Sequence, residues 1–163
     1  MTCAALTQPQ SGGSIILDVI LEGDKGRMAT VEIWTDAKVE TDARIKKVFD
    51  DIRATRKSDF VNNIWRALAN QPALLEQTWE KVKAVMIAPG TLDPLTRELI
   101  YIAVSAANSC GYCVHSHTAA AKQKGMTPEQ YGELQAVVSL ASQTNALATM
   151  LQIPVDDAFL VET

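Results

Sequence analysis

Basic residues are too few and too scattered in this chain to suggest an anionic partner. Fifteen Lys and Arg stand against nineteen Asp and Glu, a formal charge of -4. No basic run is long enough to track a phosphate backbone, so nucleic acid is not an expected partner. Long hydrophobic runs are missing as well. The longest, Leu99 to Ala107, falls far short of a membrane span, and the N-terminus lacks the basic start and apolar core of a signal peptide. These absences predict a cytoplasmic protein with no membrane contact. Three cysteines are too few, and oddly numbered, for a secreted disulfide scaffold. Apolar side chains, by contrast, make up 47% of 163 residues, enough for a continuous core and too many for a disordered or fibrous chain.

Alternating strand character is confined to one place, the β-branched run Ser14 to Leu21, which is followed by the breaker cluster Glu22-Gly23-Asp24-Lys25-Gly26. A single short strand cannot bury itself. The first 27 residues therefore read as an appendage, with Met28 a candidate for the true start and Cys3 a bystander thiol. The expected organisation is an N-terminal extension of uncertain structure over residues 1–40 and an all-helical domain over 41–163. No internal repeat or low-complexity tract is present.

From Thr41 the period is helical. Ile45, Val48, Phe49 and Ile52 fall on one face, with charges elsewhere. Asp59 is placed to cap a short helix with Phe60, Ile64, Trp65 and Leu68 inward, and the run Arg53 to Asp59 reads as a solvated helix end. Pro72 opens another helix with Leu75, Trp79, Val82 and Met86 inward, ended by Pro89-Gly90. Trp65 and Trp79 are core residues on this spacing. Asp93-Pro94 starts a helix running to about Ala107, whose second half is apolar all round and belongs in a bundle centre or a subunit interface. Asn108-Ser109 breaks it and offers a cap for a helix from Cys110 to Lys124, stopped at Gly125. Thr127-Pro128-Glu129-Gln130 caps a last helix with Tyr131, Leu134, Val137, Val138 and Ala141 at core spacing, continuing or restarting near Thr144 and stopping at Pro154. The fold class is all-α, with antiparallel helix pairs.

The residues that carry chemistry are Glu98, Cys110, Cys113 and His117. On a helix, Cys110, Cys113 and His117 share one face, and His117 sits one turn beyond Cys113. A base therefore lies beside a thiol. Both cysteines fall near the helix start, where unpaired amides and the helix dipole favour a thiolate. Cα atoms three residues apart on a helix are roughly 5 Å apart, within reach of a disulfide that can open and close. Glu98 introduces the apolar half-helix that leads into the cysteines. Facing inward, it would have its pKa raised by desolvation and become a proton carrier paired with His117. The alternative is a solvated carboxylate in the first helical turn.

Glu98, an eleven-residue spacer, Cys110-x-x-Cys113 and His117 together resemble the signature of the alkyl hydroperoxidase D (AhpD) family, within the carboxymuconolactone decarboxylase-like superfamily. Leu92-Asp93-Pro94-Leu95-Thr96-Arg97-Glu98-Leu99-Ile100 is similar to that family's lead-in, and Asn63 to Ala69 followed by Pro72 resembles its preceding helices. The similarity covers about Asp59 to Pro154. It implies an AhpD-like helical bundle and a thiol-dependent hydroperoxide reductase or dithiol-disulfide oxidoreductase. Cys113 would be the peroxidatic thiol and Cys110 the resolving one, with Glu98 and His117 as proton relay. On the residues alone the two cysteines could exchange roles, since both lie near the helix start. The resemblance further implies a homo-oligomer, a trimer or hexamer. It implies a hydroperoxide substrate and a dithiol reductant, dihydrolipoamide or a thioredoxin-like protein, with the Cys110/Cys113 disulfide in place of any bound cofactor.

One position departs from the pattern. Tyr112 stands where the best-known members carry a second relay histidine, and a phenol does not shuttle protons at neutral pH as an imidazole does. His115 does not replace it, because two residues after Cys113 it points about 160° away around the helix. Tyr112 and His115 are thus at most pocket or relay accessories. A zinc site built from Cys110, Cys113, His115 and His117 is disfavoured, because histidines two apart on a helix diverge and ligands crowded into eight residues cannot easily close a tetrahedron. Two further alternatives stand beside the reductase. One is a lyase acting on a small carboxylate, like the superfamily's lactone decarboxylases, with Glu98 and His117 as acid and base. The other is a non-enzymatic redox-sensing or assembly protein.

Overall fold

A computed structural model describes residues 29–160. The expected strand at Ser14 to Leu21 and Cys3 lie outside the described residues. Helices account for the regular structure: α1 (Asp36–Val39), α2 (Ala43–Arg56), α3 (Asn63–Leu68), α4 (Pro72–Val82), α5 (Pro94–Ala107), α6 (Gly111–Gln123) and α7 (Pro128–Met150). A π-helical turn, Lys83–Ile87, extends α4, and a 3-10 turn, Asp157–Phe159, follows α7. There is no strand among the described residues, and the fold is all-α. No described helix is long and apolar enough to cross a membrane.

The chain divides into two compact units, with the boundary between Glu80 and Lys81. In the first, α2 begins where the Asp42 carboxylate accepts from the amides of Arg44 and Ile45. Its apolar stripe of Ile45, Val48, Phe49 and Ile52 is buried, as its period requires. Trp65 and Trp79 meet edge to face at 5.4 Å, and the Trp79 indole donates to Asp51 at 2.8 Å. Residues ahead of α1 belong to this unit. The Arg66 guanidinium donates to the Trp34 carbonyl at 2.9 Å, Trp34 Nε1 donates to Asn70, and Asn70 donates to the Glu32 carbonyl.

Two expectations fail in this unit. Asp59 does not cap α3. The helix starts later, from Asn62, which makes no side-chain cap bond. That phase buries Trp65 and Ala69, one turn apart, leaving Phe60 67% exposed and Ile64 exposed, while Val61 takes the buried place.

The second unit is built on the helical hairpin of α5 and α6, with the start of α7 against it. Asp93 caps α5 by accepting from the amides of Leu95 and Thr96. Thr127 and Gln130 close a reciprocal capping box on α7. Gly125, at φ 91°, ends α6 in a left-handed conformation that a side chain would strain. Ile102, Ala121 and Met126 form a small core, with Leu95, Leu99, Tyr131 and Leu134 packed on it. The predicted inward face of α7 does not continue beyond that: Val137 is 64% exposed, Ala141 is exposed and Val138 is half-buried. At 23 residues against 14 and 13 for α5 and α6, α7 is one uninterrupted helix that outruns its partners in the chain. The second half of α5 is likewise not enclosed. Ile102 and Ser105 are buried, whereas Ile100, Tyr101 and Val104 are exposed.

Candidate functional site

The turn between α5 and α6 brings Cys110 to the head of α6. Ser109 takes a left-handed φ of 56°, and the Cys110 amide donates back to the Ser105 carbonyl at 2.9 Å. Cys110 is itself the N-cap: its Sγ accepts from the Cys113 amide at 3.3 Å, so the cap expected from Asn108-Ser109 comes from sulfur instead. Cys110 and Cys113 are joined as a disulfide, with Cα atoms 5.3 Å apart.

Both cysteines lie on the wall of a cavity of about 420 Å³ within the second unit. Val85, Met86, Leu92, Ile100, Tyr101 and Val104 supply its apolar lining, and Arg97, Ser105 and Asn108 its polar groups. Arg97 shapes one side. Its guanidinium donates to the carbonyls of Val85 at 3.0 Å, Ala88 at 2.7 Å and Leu92 at 3.0 Å, tying the π-helical turn and the following loop to α5. A π-turn leaves carbonyls poorly matched to their own helix, and these donors satisfy two of the carbonyls around it.

Glu98 faces inward and is only 4% exposed, which excludes the solvated first-turn reading. Its Oε2 lies 2.6 Å from Nδ1 of His117, and its Oε1 accepts from Lys124. The expected rise in its pKa does not occur. Burial does push the carboxyl upward, but the hydrogen bonds and charges of His117 and Lys124 together outweigh it and hold Glu98 below its ordinary value. Tyr101 stacks on the His117 ring, with centroids 3.6 Å apart and planes 18° apart. Tyr101 also lines the cavity, so one ring joins the Glu98-His117 pair to the space that the cysteines border.

Of the residues singled out from the sequence, Glu98 and His117 are in contact, Cys110 and Cys113 are bonded, and all four lie along the hairpin. His115 is exposed on α6, and Tyr112 is 47% exposed and outside the cavity lining. Among the described residues no group of three or more His, Cys, Asp and Glu is arranged to hold a metal ion. Sequence reasoning missed Lys124, Tyr101 and Arg97. Lys124 is seven residues after His117, two turns on along the same face, and Tyr101 is three after Glu98, so helical arithmetic could have found both. Nothing in the sequence announces the three carbonyls that Arg97 binds.

The carboxymuconolactone decarboxylase family model matches residues 72–156, more than half of the chain. The chain belongs to that family. Within it, this member is similar to proteins named for AhpD. It is 67% identical to the alkylhydroperoxidase AhpD core of Rhodospirillum rubrum, whose crystal structure superposes with a TM-score of 0.81 over 83% of this chain and 99% of that one. It is 36% identical over 76 residues to the alkyl hydroperoxide reductase AhpD of Solibacter usitatus, covering 47% of this chain and 41% of that protein. With the protein of the same name from Maricaulis maris it shares 38% over 71 residues, covering 44% of this chain and 39% of that one. This family member thus spans about two fifths of the length of these two curated relatives.

Proposed function

We propose that this protein is a thiol-dependent hydroperoxide reductase in which Cys113 attacks the peroxide and Cys110 closes the disulfide. The observation that carries the reading is the disulfide on the cavity wall, with a buried Glu98 bound to His117 on the same helical hairpin. The Cys113 thiolate displaces an alkoxide from the peroxide oxygen, giving a sulfenic acid, and the proton that His117, held by Glu98, took from the thiol makes the leaving group an alcohol. The Cys110 thiolate then attacks the sulfenic sulfur, forming the disulfide and releasing water after one more proton. The division of roles is the one that the resemblance to AhpD implies, and the cap is consistent with it. In the disulfide the Cys110 sulfur accepts the Cys113 amide at the positive end of α6, a place that would stabilise it as the leaving thiolate when a reductant attacks Cys113.

The reductant in this reading is a dithiol, dihydrolipoamide or a thioredoxin-like protein, and no bound cofactor or metal takes part. The protein works as a homo-oligomer of three or six chains in the cytoplasm. The outer face of α7 and the exposed side chains of α5, among them Ile100 and Val104, are the surfaces that assembly would cover. Names of the AhpD relatives support the activity, and the cysteine pair favours it over the decarboxylase reading.

The test is mass spectrometry on prereduced variants after one equivalent of cumene hydroperoxide. Cys110→Ser should gain one oxygen at Cys113 and Cys113→Ser should gain none at Cys110. The reverse pattern exchanges the roles, and no oxygen on either overturns the reaction.

A further inference from the structure

The mechanism above leaves unexplained the ammonium group on the far side of the buried carboxylate. Glu98 has two oxygens and two partners, Oε2 with Nδ1 of His117 and Oε1 with Lys124. Lys124 is the C-cap of α6 and its side chain is one third exposed, whereas that of Glu98 is almost wholly enclosed. We propose that Lys124 is a positioning residue: by compensating Glu98 it lets His117 be held through Nδ1–H and leaves Nε2 bare. The inference rests on the proposed reaction only for the use made of that bare nitrogen.

Proton counting carries the argument. An enclosed carboxylate needs one compensating positive charge or one proton. With Lys124 supplying the charge, Glu98 acts only as an acceptor, so the ring nitrogen facing it must be the donor. A neutral imidazole that donates from Nδ1 has its lone pair on Nε2. Without Lys124 two arrangements remain. Either His117 takes a second proton and becomes the compensating cation, or Glu98 takes one and donates its O–H to Nδ1, which moves the ring proton to Nε2. Both put a proton on Nε2 and remove it as a base.

The other titratable groups near the pair do not substitute for Lys124. On α5, Tyr101 lies flat on the His117 ring, and the Arg97 guanidinium is engaged on three carbonyls. On α6 the cysteines precede His117, and on α7 Tyr131 packs against Ile102, Ala121 and Met126.

Ring-nitrogen NMR of His117 in the full-length, prereduced protein tests this, comparing wild type with Lys124→Gln and Lys124→Arg. The expected result is a proton on Nδ1 and a bare Nε2 in wild type and Lys124→Arg at neutral pH. In Lys124→Gln the Nε2 signal should shift to the protonated position and return to the bare one only at higher pH. A bare Nε2 in Lys124→Gln under the same conditions, or a protonated one in wild type, would overturn the proposal. Hydroperoxide consumption is followed in parallel. If wild type consumes none, the reductase reading fails while the NMR comparison still decides the role of Lys124.

Discussion

Phe49, Trp65 and Trp79 close the interior of the first unit, where the charged side chains stay at the rim. Among the described residues of the second unit the small Ala121 is fully enclosed, and among those nearly enclosed is a carboxylate, Glu98. Ile100, Tyr101 and Val104 of α5, with Val85 and Met86 of the π-turn, line a cavity there. Close packing of large rings resists any change of shape, while a cavity bordered by the two cysteines leaves contact energy unrealised and gives room for chemistry. The first unit is thus the one whose substitutions should be felt in stability, and the second the one whose substitutions should be felt in reactivity.

The sharpest way to break this contrast is a pair of substitutions. Cys113→Ser should lower the rate of hydroperoxide consumption by at least about a thousandfold, towards that of no catalyst, with thermal unfolding little changed. Trp79→Ala should cost about 3–5 kcal/mol in denaturant unfolding through the cavity it leaves. If Cys113→Ser were the more destabilising of the two, the assignment of roles to the units would be wrong.

A second prediction concerns acid. Glu98 is held below its ordinary value in the folded protein, so the unfolded chain binds its proton at higher pH than the folded one does. Its contribution to stability is therefore present above the unfolded carboxylate range and lost as pH falls through the lowered folded value. Denaturant midpoints measured down the acid range should fall less steeply for Glu98→Gln than for wild type. Equal slopes would show that the pair with His117 and Lys124 gives no net stabilisation of the charged form. Smaller effects are expected at the helix ends of the second unit. Thr127→Ala removes one half of the capping box and should cost about 1 kcal/mol. Gly125→Ala places a side chain in left-handed backbone and should cost about 1 kcal/mol. Both are read from urea unfolding.

Much of the fold is legible in the residues because local signals and tertiary packing agree there. Ile45, Val48, Phe49 and Ile52 declare the stripe of α2, Asp93-Pro94 sets the start of α5, and Thr127 with Gln130 caps α7. Where they part, the reasons are physical. Phe60 looks like core by composition, but a later helix start gives its place to Val61. Val137 has core spacing on a helix that is longer than the two it packs against. For the site, Glu98, Cys110, Cys113 and His117 could be named from spacing, since each distance runs along a helix or across one hairpin. The direction of the Glu98 shift could not, because it depends on Lys124 reaching back across the hairpin to the second oxygen.

In the proposed reaction the cysteine pair, with His117 held by the Glu98 carboxylate, makes a sulfur nucleophile more reactive than a free thiol. Stopped-flow reaction of prereduced protein with cumene hydroperoxide, beside a free dithiol at the same pH, measures this directly. The expected protein rate is well above that of the free dithiol, with one disulfide formed per peroxide consumed. A rate no greater than that of the free dithiol would contradict it.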